Sequence, residues 1–156
     1  MIKDSFVGKA GHLVVMGEFL LRGYNVAMPE VDVGDDILVV SNWAEQLWRI
    51  QVKTAIGVKR SYGSSGQFLV SLKQLKEARS TALFYVFTLR WNGHWEFVVI
   101  PQEELYAAYV DNQVGSRSGE NLALYFAFKR TELICGTRDF QYYRNNWDRW
   151  PIIEPG

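Results

Sequence analysis

The chain has 156 residues, the size of one ordinary domain. Hydrophobic residues make up 48% and charged residues 22%, which is enough apolar material for a sizeable core and excludes wholesale disorder. Seventeen basic and seventeen acidic residues give zero formal net charge, which argues against a simple polycation that coats nucleic acid.

Cysteine and histidine are scarce. A single cysteine, Cys135, excludes an internal disulfide and a cysteine-rich zinc site, and we expect it to be a buried small hydrophobe in a reducing cytoplasm. His12 and His94 are too few for a histidine-based zinc site. No long apolar run is present, so we expect neither a signal peptide nor a membrane span.

The first half of the chain begins with a helix and continues with strands. A helix is predicted from about Ser5 to Arg22, with Gly23 in the left-handed position that ends it. Strands are predicted over 24–28, 36–40 and 47–55, separated by turns at 30–35 and 41–46. Residues three and four apart predict the inward stripe of the helix: Val7, Ala10, Val14, Glu18 and Leu21.

The second half mixes strands and helices. We predict a flexible basic loop over 57–66, a strand over 67–72 and a short charged helix or turn over 73–80. An Asn-Gly turn at 91–94 predicts a hairpin of strands 82–90 and 95–100, followed by a helix over 101–110. Residues 122–129 could form a strand or a helix, and their aromatics favour a strand. A loop at 115–119, this segment and a tail of helix or turn at 139–150 complete one α/β or α+β domain over residues 1–156.

The hairpin formed by 36–40 and 47–55 gathers polar residues. If Val40 pairs with Leu47, Asp36 lies opposite Gln51, and Lys53 points to the same face as Gln51. Apolar residues fill the other face, and Leu38 and Val40 make the first face apolar beyond its polar end, so these strands belong in the middle of a layered fold.

Simpler interpretations remain open. A slip of one residue would separate Asp36 from Gln51 and favour Asp35 as the acidic group. Asp36 and Lys53 could also form an ordinary surface ion pair. Glu18, a carboxylate on the predicted inward stripe, could pair with Arg22 at i+4 or join the polar group at the strand ends.

Three motifs in residues 11–55 resemble the PD-(D/E)XK nuclease superfamily in its Q-x-K variant. They are Gly-Glu followed by Leu-Arg-Gly-Tyr at 17–24, Gly-Asp-Asp-Ile-Leu-Val at 34–39, and Ile-Gln-Val-Lys-Thr at 50–54. These sequence motifs are similar to those of homing endonucleases associated with group I introns and of Holliday-junction-resolvase-like nucleases. The resemblance implies a restriction-endonuclease-like α/β core, with a mixed central sheet flanked by helices.

The resemblance also implies an Mg²⁺-dependent endodeoxyribonuclease, with Mn²⁺ as a possible substitute. Asp36, Gln51, the Val52 carbonyl and Glu18 would be the metal site, and Lys53 would orient water and stabilise negative charge. Gln51 stands where most relatives have a carboxylate, so weaker metal binding is a hypothesis.

The implied partner is double-stranded DNA. Residues 51–100 carry seven basic and two acidic groups, and the loop at 57–66 contributes Lys59, Arg60 and Tyr62 as candidate DNA contacts. Arg117 is a further candidate, although both loops could simply be solvated. The C-terminal tail could contact DNA or a subunit, and its aromatics favour core packing.

A chain this small offers little surface for a long DNA site, so we expect a homo-oligomer, a dimer or a tetramer. Three alternatives stay open: a structure-selective junction resolvase, a DNA-binding module with a decayed site, and an interaction domain unrelated to nucleic acid.

Overall fold

The computed structural model describes residues 2–30, 36–41, 45–78, 80–112 and 114–148. Most of the predicted turns at 30–35 and 41–46, the alternative ligand Asp35 and the end of the tail lie outside these ranges. The described elements are α1 (Asp4–Leu21), β1 (Asn25–Ala27), β2 (Ile37–Ser41), β3 (Gln46–Ile56), β4 (Val58–Arg60), β5 (Gly63–Ser71), α2 (Leu72–Lys76), β6 (Leu83–Trp91), β7 (His94–Pro101), α3 (Gln102–Val110), β8 (Ser116–Ser118), β9 (Asn121–Phe128), β10 (Leu133–Cys135) and β11 (Arg138–Asp139).

Five strands form the central sheet in the order β1-β2-β3-β6-β7. The β3–β6 pair is parallel and the other pairs are antiparallel, so the predicted mixed sheet is confirmed. Apolar residues cover both faces. One face packs under α1, and the other packs against a second, antiparallel sheet ordered β11-β10-β9-β5-β4, with β8 paired to β9.

Helix α1 lies on β3 through a close backbone approach at Gly11. A methyl group on Gly11 would lie 1.9 Å from Thr54 Oγ1, so only glycine allows this separation. Gly23 has φ 86°, and its N–H and that of Tyr24 cap the carbonyls of Leu20 and Phe19, which confirms the predicted helix end.

The predicted inward stripe of α1 is wrong by one residue. The fully buried residues are Gly11, Val15 and Phe19, whereas Leu21 is exposed. The pattern was ambiguous because apolar residues surround α1: Phe6, Leu13 and Leu20 are each more than half exposed on its outer side.

Two segments predicted as loops are hairpins of the second sheet. Residues 57–66 contain β4 and the start of β5, paired from Val58↔Ser65 to Arg60↔Gly63, and 115–119 contains β8. The small residues serve close packing rather than flexibility, because a methyl group on Gly66 would lie 2.5 Å from Leu89 Cδ1 of the central sheet.

The predicted hairpin of β6 and β7 is confirmed. Its Asn92 and Gly93 both have positive φ, 48° and 82°, as the two-residue hairpin turn requires. The strand predicted at 122–129 is β9, and the helix predicted at 101–110 is α3.

In the tail, Tyr143 and Trp147 are buried, so the predicted core packing of its aromatics is confirmed for these two residues. Among the described helices, none combines the length and apolar character that a membrane crossing requires.

Candidate active site at the Asp36 end of strand β2

The register of β2 and β3 brings Asp36 to Gln51. Val40 pairs with Leu47 and Ile37 with Ile50, as predicted, so Asp36 and Gln51 lie opposite each other. Gln51 Nε2 donates a hydrogen bond of 2.8 Å to Asp36 Oδ2. Both side chains are largely buried, so this carboxylate and amide form a fixed pair at the end of the strand.

The backbone of Val52 faces the same carboxylate. Its N–H donates to Asp36 Oδ2 over 2.8 Å, and the Asp36 N–H donates to the Ile50 carbonyl over 3.0 Å. The N–H of Arg49 donates instead to the Ala82 carbonyl, on the β6 side. The backbone groups of successive residues in a strand point to opposite sides, so the even-numbered residues Ile50 and Val52 face β2. The Val52 carbonyl is therefore directed to the β2 side, next to Asp36.

Lys53 lies on the predicted face of β3. Gln51 is aligned with Tyr85 and Lys53 with Phe87 in the parallel β6 strand, and aligned residues share a face. The Lys53 side chain is partly exposed, and within the described residues its ammonium group has no hydrogen bond or ion pair. It is therefore a cation available to an anionic group near Gln51.

A histidine outside the predicted motifs borders the site. His12 Nε2 lies 3.5 Å from Asp36 Oδ2, and its side chain is 23% exposed. Gly11 brings this part of α1 onto β3, so the neighbouring residue meets the strand end. No motif signals this proximity, since it depends on the packing of the helix.

Glu18 makes the alternative contact considered for it. Its carboxylate accepts a 2.6 Å hydrogen bond from the Arg22 guanidinium, one turn further along α1. Glu18 is six residues from His12, a rise of about 9 Å along the helix. Its participation in a metal site stays a prediction.

A chain of side-chain hydrogen bonds leads from Asp36 into the core. Gln51 Oε1 accepts a bond of 3.1 Å from Gln74 Nε2, and Gln74 Oε1 accepts one of 3.0 Å from the Tyr85 hydroxyl. Gln74 sits on α2, whose carbonyls are held by Gln102. Neither Gln74 nor Tyr85 was predicted. Gln74 is a lone polar residue in a short helix, and such a residue resembles a solvated one in the sequence.

The candidate DNA contacts fall in two groups on the second sheet. Lys59, Arg60 and Tyr62 are exposed on the β4–β5 hairpin, directly after β3. Arg117 pairs with Leu122 near one end of β9, whereas the β4–β5 hairpin pairs with Phe128 at the other end. Six residues of strand separate these positions, about 20 Å, so the fold does not join Arg117 to the hairpin.

The hairpin residues are also held in place. Arg60 donates to Ser65 Oγ over 2.9 Å, and the hydroxyls of Tyr62 and Tyr125 are 3.5 Å apart. The hydrogen bond with Tyr125 raises the pKa of Tyr62, while the bond with Ser65 lowers the pKa of Tyr125.

The donor atoms at the site fit a divalent cation. They are the Asp36 carboxylate, the Gln51 amide oxygen and the Val52 carbonyl, all of the oxygen type that hard cations take. Gln51 now turns its nitrogen toward Asp36, so ligation would require its amide to rotate. Among the described residues, no cluster of three or more His, Cys, Asp or Glu could hold a metal, so this site depends on neutral donors.

This architecture is a restriction-endonuclease-like fold. It is similar to the bacterial homing endonuclease I-Ssp6803I, with a TM-score of 0.55 and 17% sequence identity over 96% of this chain and 91% of that one. The Holliday junction resolvase Hjc of the archaeal hyperthermophile Archaeoglobus fulgidus gives a TM-score of 0.47 at 12% identity, over 79% of this chain and 84% of that one.

No protein-family model matches the sequence, and no curated protein sequence matches it. The likeness therefore concerns the fold, and the predicted fold class is confirmed. The roles of the site residues stay predictions.

Proposed function

We propose that the protein is a metal-dependent endonuclease that hydrolyses phosphodiester bonds of double-stranded DNA in the cytoplasm. The observation that carries the proposal is the largely buried Asp36 carboxylate, which accepts hydrogen bonds from Gln51 and the Val52 N–H. Lys53 lies on β3, two residues after Gln51. A carboxylate that is largely removed from water costs free energy to maintain, and such groups are concentrated at functional sites.

Each residue has a separate task in this proposal. Asp36, Gln51 and the Val52 carbonyl hold a divalent cation, for which the sequence predicts Mg²⁺ with Mn²⁺ as a substitute, and Glu18 supports it directly or through water. When bound, the cation polarises the phosphate and makes its bound water more acidic. Lys53 orients the attacking water and stabilises the charge that develops on the phosphate oxygens.

The reaction adds one water across one P–O bond. The water oxygen bonds to phosphorus, the bond to one sugar oxygen breaks, and that oxygen takes a proton, which leaves a phosphate monoester and a hydroxyl group. Lys59, Arg60 and Tyr62 supply phosphate contacts near the end of β3, and Arg117 supplies one at a separate position.

A cleavage assay with matched variants tests the proposal. Supercoiled plasmid, long genomic DNA and a four-way junction are incubated with the protein in Mg²⁺, Mn²⁺ or EDTA. Asp36→Asn, which keeps an acceptor for the Val52 N–H, and Lys53→Ala should abolish cutting. The controls Asp111→Asn and Lys73→Ala change exposed residues outside the site and should cut normally.

The outcomes separate the alternatives. Discrete fragments from long DNA support a site-specific, homing-type enzyme, and cutting confined to the junction supports a resolvase. Binding without cutting by the unaltered protein indicates a DNA-binding module with a decayed site. Full activity in either site variant, or no DNA binding at low salt, would contradict the proposal.

We also propose that the chain acts as a homo-oligomer, a dimer or a tetramer, through the outer side of α1. Phe6, Leu13 and Leu20 are all more than half exposed there, at spacings of seven residues that suit contact with another helix. A second copy would bring a second active site to the other DNA strand. Leu13→Glu should lower the mass measured by light scattering, while Leu69→Glu, on the outer face of β5, should not.

A further inference from the structure

We propose that His12 is a ligand of the metal site and that its nitrogen makes the site bind Mn²⁺ more tightly than Mg²⁺. The inference rests on the proposed function, because it names the ion that the same site prefers. It concerns a residue outside all of the motifs that the sequence presents.

The position of His12 is the first argument. Its Nε2 is 3.5 Å from Asp36 Oδ2, and ligand atoms about 2.1 Å from one octahedral ion lie about 3 Å apart, so a small shift would let both bind one ion. Gly11 holds this turn of α1 against Thr54, so the imidazole is delivered by a packed helix rather than by a loop.

The other donors give the second argument. Asp36 is the only carboxylate that contacts Gln51 and Val52 in the described residues, and the remaining donors are a neutral amide and a carbonyl. Mg²⁺ demands near-ideal oxygen geometry and binds mainly through carboxylates and phosphates. A site with one carboxylate is therefore a weak magnesium site.

An imidazole changes the order of affinities. Nitrogen donors strengthen binding of first-row transition ions, with Mn²⁺ the weakest of that series and Mg²⁺ a poor match. The His12 nitrogen compensates for the missing carboxylate at position 51 only when the ion accepts nitrogen. The site should thus discriminate between two cations of similar size and equal charge.

The test measures binding of the metal ions alone to the full chain by isothermal titration calorimetry. We expect Mn²⁺ to bind at least tenfold more tightly than Mg²⁺. His12→Gln exchanges the nitrogen donor for an oxygen donor. It should weaken Mn²⁺ binding by about tenfold or more, since even residues that only support ligands change metal affinity by about 10- to 100-fold.

Magnesium binding by His12→Gln should stay within about twofold of the wild-type value, because that ion gains little from nitrogen. His94→Gln is the matched control, since His94 is the other histidine and is exposed on the β6–β7 turn. It should change neither affinity.

A spectroscopic readout makes the result independent of folding in the variants. Electron spin-echo spectra of Mn²⁺ bound to the wild-type protein should show modulation from a directly coordinated ¹⁴N nucleus, and His94→Gln should retain it. Wild-type protein that binds Mn²⁺ without this signal would overturn the inference even if His12→Gln does not fold.

Asp36→Asn separates the two possible failures. If it abolishes Mn²⁺ binding while His12→Gln leaves affinity and nitrogen signal unchanged, His12 only pairs with Asp36. The inference then fails and the proposed nuclease site stands. If Asp36→Asn still binds Mn²⁺ normally, or if the wild-type protein binds neither ion, the proposed metal site fails as well.

Discussion

Replacing Gln51 by glutamate tests whether the site requires a neutral side chain beside the Asp36 carboxylate. Gln51 Nε2 donates a 2.8 Å hydrogen bond to the Asp36 carboxylate, and both groups are largely buried. Gln51→Glu turns this contact into one between two carboxylates. A hydrogen bond to a charged group contributes about 1.5–3 kcal/mol, so we expect the free energy of unfolding in EDTA to fall by about 2 kcal/mol or more.

A divalent cation should reverse this loss. The second carboxylate gives the ion a charged ligand and removes the need for the Gln51 amide to rotate, so the variant should bind metal more tightly than the wild type. At a free metal concentration 100 times the dissociation constant, binding adds about 2.7 kcal/mol to stability. The variant should therefore gain more stability from metal than the wild-type protein does.

Urea unfolding in EDTA and in excess Mn²⁺ or Mg²⁺ measures both effects. Gln67→Glu makes the same chemical change at an exposed position of β5 and should leave the metal response unaltered. The reasoning is refuted if Gln51→Glu is as stable as the wild type in EDTA, or if its metal dissociation constant is unchanged.

Four further predictions concern other parts of the fold. Gly11→Ala, which places a methyl group 1.9 Å from Thr54 Oγ1, should lower the free energy of unfolding by about 1–3 kcal/mol in urea titrations, whereas Gly8→Ala, in open space, should not. Gln74→Leu leaves the Gln51 amide without its donor and should slow single-turnover cleavage while DNA affinity measured by anisotropy is kept. Burial raises the pKa of the Cys135 thiol to about 12, so a thiol reagent should label it only after unfolding. Mn²⁺ and duplex DNA should each raise the other's affinity for the cleavage-deficient Lys53→Ala variant; equal Mn²⁺ titrations with and without DNA would contradict this.

The strand part of the candidate site followed from the sequence because antiparallel pairing is a strict geometric rule. Once Val40 faces Leu47, the positions of Asp36 and Gln51 are fixed, and the observed register agrees. The register itself had to be assumed, because residues 37–40 are all apolar and do not distinguish the two faces of the strand. Strand-borne site residues are therefore predictable from a single chain once one pair of the hairpin is correctly chosen.

The helix contribution was not predictable in the same way. Apolar residues surround α1, so its periodicity does not identify the face that packs inward. The inward face is selected by the contact of Gly11 with Thr54, which is a tertiary fit between two distant segments. The predicted stripe, displaced by one residue, places Glu18 on the inward side, where the structure has Phe19.

Small residues misled the prediction at 57–66 for a related reason. Glycine and serine mark a flexible loop and a close approach of two layers equally well in a sequence. Here Ser64, Ser65 and Gly66 are buried, and Gly66 lies against Leu89 of the central sheet. The composition alone does not distinguish these cases, because the partner layer is formed by a different part of the chain.

The charge of the site explains why metal and DNA should bind together. Among the described residues, Asp36 is the carboxylate that contacts Gln51 and Val52, and the charge of Glu18 is balanced by Arg22. A dication on Asp36 would therefore leave excess positive charge beside Lys53, because the Gln51 and Val52 oxygens are neutral. A DNA phosphate supplies the missing negative charge, so each ligand improves the site for the other, and the coupling must be equal in both directions. The zero net charge of the whole chain is thus compatible with DNA binding that depends on the metal.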